Sequence, residues 1–246
     1  MTLVIQSGEQ TLSSQEIIPL LARYQMLPQL ISQRLIDQAI ATIECTDEEK
    51  TIACQQFYQQ YHLTTEAERQ TWATSHCLTQ EDIETIATRQ LKIEKFKLAT
   101  WQDQLPTHFL RRKKELDQAI YSLIRTKDIG IAQEIYFRLE EKEQSFAELA
   151  QQYSQGLEAK TGGLLGPVEF GHLPLPLAQK LRLSQCGQIS RPFPLGEWIV
   201  IVRLDKFISA ELNPMMCQRL LNEKFRTWLQ KQLQEQGYQI SNFSFA

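Results

Sequence analysis

Five cysteines and four histidines are the residues best suited to covalent or acid–base chemistry, and their spacing limits what they can do. Cys45, Cys54, Cys77, Cys186 and Cys217 are odd in number and show no CxxC spacing. They therefore suggest neither a disulfide framework nor a zinc site, and read as reduced, mostly buried thiols. A nucleophilic thiol needs a neighbour that lowers its pKa, and Cys186, beside Gly187, has no adjacent base. His62, His76 and His108 fall on the amino-terminal half and make no cluster. His172, between Gly171 and the Leu173-Pro174 pair, reads as a surface loop residue or as a lone base. Arg111-Arg112-Lys113-Lys114 is the one dense basic run, either a solvated helix end or a contact for a phosphate or an acidic partner. These residues call for no metal and no cofactor.

The balance of Lys and Arg (26) against Asp and Glu (29) leaves a net charge of −3, so there is no overall attraction to nucleic acid. At 42% apolar and 22% charged, 246 residues can build one large or two ordinary globular domains. Met1-Thr2-Leu3-Val4-Ile5-Gln6 turns polar too early for an export signal. No stretch approaches the ~20 apolar residues that a membrane span needs. A soluble, cytoplasmic protein with no membrane insertion and no nucleic-acid partner is the expectation.

Capping and periodicity predict the elements that must hold any site. Leu3-Val4-Ile5 with Ser7-Gly8-Glu9 reads as a strand and turn, and Ser13-x-x-Glu16 has capping-box spacing before a helix. Pro28 opens a second helix, whose Leu30-Ile31-x-x-x-Leu35-Ile36-x-x-x-Ile40 stripe should pack on the first. Thr46-x-x-Glu49, Thr65-x-x-Glu68 and Thr79-x-x-Asp82 repeat the capping signature. The longest helix is expected from Glu81 to about Gln104, before Pro106.

Beyond Leu116 the pattern changes. Ala119 to Ile124 is strand-like, and Gly130 to Glu143 and Phe146 to Tyr153 are helical. Gly162-Gly163-Leu164-Leu165-Gly166-Pro167 has the glycine density of a tight backbone crossing, and Ile199-Val200-Ile201-Val202 suits a central strand. Asn213-Pro214 pairs an N-cap with a first-position proline. After it, Leu220, Leu221, Phe225, Trp228, Leu229 and Leu233 share a helical face that must be buried.

The ordered run Phe146-Ala-Glu-Leu-Ala-x-x-Tyr153-Ser154, Gly162-Gly163-Leu-Leu165-Gly166, Gly171, Gly187-x-Ile189-Ser190-x-Pro192 and Ile199 to Leu204 resembles the parvulin, or PpiC-type rotamase, family of peptidyl-prolyl isomerases. In the amino-terminal half, Leu30-Ile31-x-x-x-Leu35-Ile36, Thr46-Asp47-Glu48-Glu49, Leu78-Thr79-x-Glu81-Asp82 and Arg89-Gln90-Leu91 resemble the helical part of SurA- and PrsA-like foldases. The two resemblances imply an α+β chain with an all-helical, chaperone-like domain over 1–115. A parvulin domain over 116–208 would carry a small antiparallel or mixed sheet flanked by helices. Residues 209–246 would form a C-terminal helix and tail that packs back on the helical domain.

Isomerising an X-Pro bond breaks nothing, because its barrier of roughly 18–20 kcal/mol is amide resonance. An apolar grip on the proline, a dry surrounding and hydrogen bonds matched to the twisted amide are enough, with no cofactor. The family's paired histidines fall on Tyr121 and Val200, and its cysteine or aspartate on Gly156, so all three polar positions differ. Its proline pocket falls on Leu165, Leu173 and Leu177, which stay apolar. Tyr121 keeps a hydroxyl that could act in catalysis, or is an ordinary half-buried strand tyrosine. Leu173 and Leu177 serve as pocket lining or as core.

Two functions are open on this reading. One is a foldase or prolyl isomerase acting on proline-containing peptides or unfolded protein clients. The other is a non-catalytic peptide-binding chaperone or adaptor for maturation or export, in contact with such a system.

Overall fold

The computed structural model describes residues 4–7 and 10–236. They fall into two compact units, Met1–Leu105 with Cys217–Ala246, and Pro106–Met216.

The first unit is helical apart from an antiparallel hairpin of β1 (Val4–Ser7) and β2 (Gln10–Ser13). Leu3, Gly8 and Glu9, part of the expected strand and turn, lie outside the described residues. Helices α1 (Ser14–Arg23), α2 (Leu27–Ile40), α3 (Asp47–Gln60), α4 (Glu66–Ser75) and α5 (Gln80–Trp101) follow. Three of them start at complete capping boxes. Thr46, Thr65 and Thr79 each accept from the backbone N–H three residues on, and Glu49, Glu68 and Asp82 accept from the cap's own N–H. Local sequence therefore sets these starts.

Buried Ile36, Ile40 and Ile93 pack with Phe96, Phe225 and Leu229, so the carboxy-terminal helix contributes to this unit's core. Its Leu220 and Leu221 are also buried. A second cluster joins Phe57, Leu63 and Ile83 with Tyr58 and Trp72. Two expectations change. Leu30 is exposed, and α1 lies against β2 rather than along α2, whose buried stripe faces α5 and the carboxy-terminal helix.

The long helix ends at Trp101 rather than Gln104, and a 3-10 turn, Gln102–Gln104, leads into α6 (Leu105–Leu116). Pro106 has no N–H to give Gln102, so the ladder restarts with proline in the new first turn.

The second unit runs from α6 through β3 (Gln118–Thr126), α7 (Ile129–Glu140), α8 (Phe146–Tyr153), β4 (Leu164–Glu169), α9 (Leu175–Leu183), β5 (Phe193–Leu195) and β6 (Trp198–Ile208) to the start of α10 (Pro214–Gln236). Its sheet has the order β4-β3-β6-β5 and is antiparallel throughout, with β3 and β6 at the centre. Helix α7 stops short of Glu143 because Lys142 turns left-handed at φ 58°.

Gly163 and Gly166 let β4 close on β3. Their φ values are 84° and 107°, and a Cβ would lie 2.8 Å from the Leu123 carbonyl oxygen and 2.5 Å from that of Ala119.

Expected borders at 115/116 and 208/209 fall inside this unit. The Asp117 carboxylate accepts from Lys113 Nζ at 2.8 Å and from the Ala210 N–H at 2.7 Å, and Lys113 also donates to Ser209 Oγ. These bonds tie the end of α6 and the segment after β6 to the sheet.

Candidate functional site

Strand alternation puts Ala119, Tyr121 and Leu123 of β3 on one face of the sheet with Val200, Val202 and Leu204 of β6, and α9 covers them with Leu177, Ala178 and Leu181. Leu165, Leu173, Phe193, Leu195 and Trp198 are half-buried around this cluster and form its rim. Tyr121 stands opposite Leu165 on one side and Leu204 on the other. Only 5% of it is exposed. Burial, aided by the negative charge of Glu158, pushes its phenol pKa up from 10.0, so the hydroxyl keeps its proton at neutral pH.

A polar network has been built beside it. Glu158, with 3% of its side chain exposed, accepts from Arg125 Nε at 2.9 Å and Nη2 at 2.7 Å, and from Ser154 Oγ at 2.6 Å. The same Ser154 oxygen accepts from the Arg125 backbone N–H at 3.1 Å. Burial opposes ionisation of Glu158, but the Ser154 hydroxyl, a backbone N–H and the Arg125 guanidinium outweigh it and hold the pKa below 4.5. The guanidinium also lies 5.5 Å from the centre of the Trp198 ring.

Gly156 is what makes room for this pair. A Cβ there would sit 2.0 Å from Arg125 Nε and Nη2. The position where a cysteine or aspartate was expected by resemblance is thus occupied, in space, by the Arg125 head group.

The family model described as the rotamase, or PPIC-type PPIASE, domain matches residues 113–206. Residues 113–206 are a PpiC-type rotamase domain. No curated protein matches the chain. Among solved structures it is similar to the peptidylprolyl isomerase PrsA of Bacillus cereus, at 20% identity over 98% of this chain and 93% of that one, with a TM-score of 0.49. PrsA of Bacillus anthracis follows at 22% identity, 88% and 100% coverage and a TM-score of 0.45. The parvulin domain of PpiD from E. coli is 30% identical over 40% of this chain and 95% of that domain, with a TM-score of 0.35.

Within the rotamase domain the residues singled out from sequence share one cluster: Tyr121, Val200, Leu165, Leu173 and Leu177. Their exposure separates them. Leu165 and Leu173 are half-buried at the rim, whereas Leu177 is 2% exposed and Val200 1%, which makes both core. His172 is exposed in the turn before α9, outside this cluster.

The thiols are more exposed than their sequence suggested. Cys77 and Cys186 are exposed in turns, and Cys45, Cys54 and Cys217 are half-buried. Among the described residues no group of His, Cys, Asp and Glu is placed to hold a metal ion, and no helix is long and apolar enough to cross a membrane.

Sequence reasoning assigned no site role to Arg125, Ser154, Glu158, Phe193 and Trp198. The available signal was the Ser154-x-Gly156-x-Glu158 spacing, with a small residue between two oxygen-bearing ones. It became legible only once register set Arg125 opposite Val200.

Proposed function

We propose that the rotamase domain receives a proline-containing or unfolded polypeptide over the face around Tyr121 and eases rotation about its X-Pro bonds. The observation that carries this reading is the ring of five half-buried apolar side chains, Leu165, Leu173, Phe193, Leu195 and Trp198, around a nearly buried, protonated tyrosine. Such a ring offers an apolar grip on a proline ring and a surrounding poor in water. The Tyr121 hydroxyl is the donor nearest to hand for an amide oxygen that is losing conjugation. The five unpaired thiols suit a reducing compartment, and a cytoplasmic location is part of the proposal.

A second reading, a peptide-holding chaperone without catalysis, is favoured by one observation. Neither Val200, which is core, nor Gly156, which is filled by Arg125, can supply the polar groups that the family resemblance placed there.

Exchange spectroscopy on a panel of short X-Pro peptides separates the two. Cis/trans cross-peaks that grow with protein and weaken with Tyr121→Phe support isomerase action. Peptide shift changes without faster exchange support the chaperone reading, and neither effect would sink both.

A further inference from the structure

The face around Tyr121 is the groove of the proposed reading, and a further feature of the domain borders it at Leu173. A pocket of about 660 Å³ opens between the end of α6, the turn before α9 and α9 itself. Its walls include Arg111, Lys114, Glu115, Phe170, Leu173 and Arg182. Three are cations and one is a carboxylate, and Glu115 lies 3.5 Å from Arg112, which is not part of the wall. The pocket is therefore positive within a chain whose net charge is −3.

Arg182 is held in place. It donates to the Lys114 carbonyl oxygen in the last turn of α6, and its guanidinium lies 4.8 Å over the centre of the Phe170 ring. Among the described residues, none of Arg111, Lys114 and Arg182 has a carboxylate partner.

We propose that this pocket binds acidic side chains of the polypeptide client, and so gives the rotamase domain a preference for proline segments flanked by Asp or Glu. This rests on the reading of the groove given above. Leu173 is the link, because it lies on the rim around Tyr121 and also lines the pocket. An extended chain gains ~3.3 Å per residue, so a client with an apolar residue at Leu173 carries the residues next to it into the pocket. Exposed charge pairs are individually weak, and two or three acting together yield about a tenfold preference that falls with added salt.

The test uses the full chain and two labelled peptides that share an Ala-Leu-Pro core, one flanked by glutamates and one by glutamines. Fluorescence anisotropy gives affinity, and the backbone amide of Gln179 in the pocket wall and the Trp198 indole at the groove report the place of binding. The glutamate peptide should bind about tenfold tighter and move both signals, and the glutamine peptide should move the indole alone. The exposed pair Arg111→Gln with Lys114→Gln should remove the difference and leave the glutamine peptide unchanged.

Equal affinities, or a difference that survives the double variant, overturn the pocket while leaving the groove intact. If neither peptide binds, the groove reading fails. Tetraglutamate alone then decides the pocket, supporting it by shifts at Gln179 and overturning it by their absence. A single-stranded oligonucleotide that displaces the glutamate peptide from Gln179 at lower concentration also overturns the acidic-peptide assignment.

Discussion

The two faces of the rotamase sheet are built from the same strands and end in different states. On one, Ile124 and Ile201 are sealed under α7 and α8 by Ile135, Leu139, Phe146, Leu149 and Ala150. On the other, α9 alone covers the centre and a ring of apolar side chains stays half-exposed. Both faces are apolar enough to hold a helix. They differ in how many helices the chain sends to each, and the under-covered face is where a polypeptide can be received.

The largest test of this contrast sets Leu149→Ala against Leu173→Ala. Leu149 is fully buried, and truncating it should cost about 3 kcal/mol in chemical denaturation, whereas the rim residue Leu173 should cost under about 1 kcal/mol and show its effect in peptide affinity. A Leu173→Ala loss as large as that of Leu149 would make the open face ordinary core.

Next in size is the network beside the open face. Gly156→Ala should drive Arg125 off Glu158 and destabilise the fold by about 2 kcal/mol, less than a fully buried pair because Arg125 is one-third exposed. Its pH signature has a definite sign. The folded Glu158 carboxyl titrates below 4.5, so its contribution is present above that value and is lost as acid carries the pH down through the folded pKa. Melting temperature should fall over that window in the wild type and fall less in Glu158→Gln.

Smaller again is Tyr121→Phe, expected to slow catalysed X-Pro exchange by about tenfold while changing stability by under about 1 kcal/mol. Unchanged exchange would remove the hydroxyl from the mechanism and leave the face as a binding surface. The smallest effect belongs to the helical unit: Thr79→Ala should cost about 1 kcal/mol there through its lost cap, with no change in peptide exchange.

How much was legible in advance depended on the range of the forces involved. The capping boxes at Thr46, Thr65 and Thr79 involve groups three residues apart, so composition and spacing determined where those helices begin. The apolar run from Ile199 to Val202 needed burial on both sides and determined a central strand, and the glycines at 163 and 166 determined where β4 could touch β3. The proline at 106 predicts a helix end, and the structure adds the 3-10 turn that passes the chain onward.

Only the tertiary structure decided the rest, because it turns on residues far apart in sequence. Register set Arg125 near Glu158 and into the space that Gly156 leaves, and the packing of α9 sorted Leu177 into the core and Leu173 onto the rim. The closing of α6 against the turn before α9 made a pocket by setting Arg182 beside Arg111 and Lys114 of the basic run, a residue that one-dimensional spacing had no reason to join to them. Local hydrogen bonds and periodicity are written along the chain; the charge and exposure of a site depend on which distant segments exclude water from it.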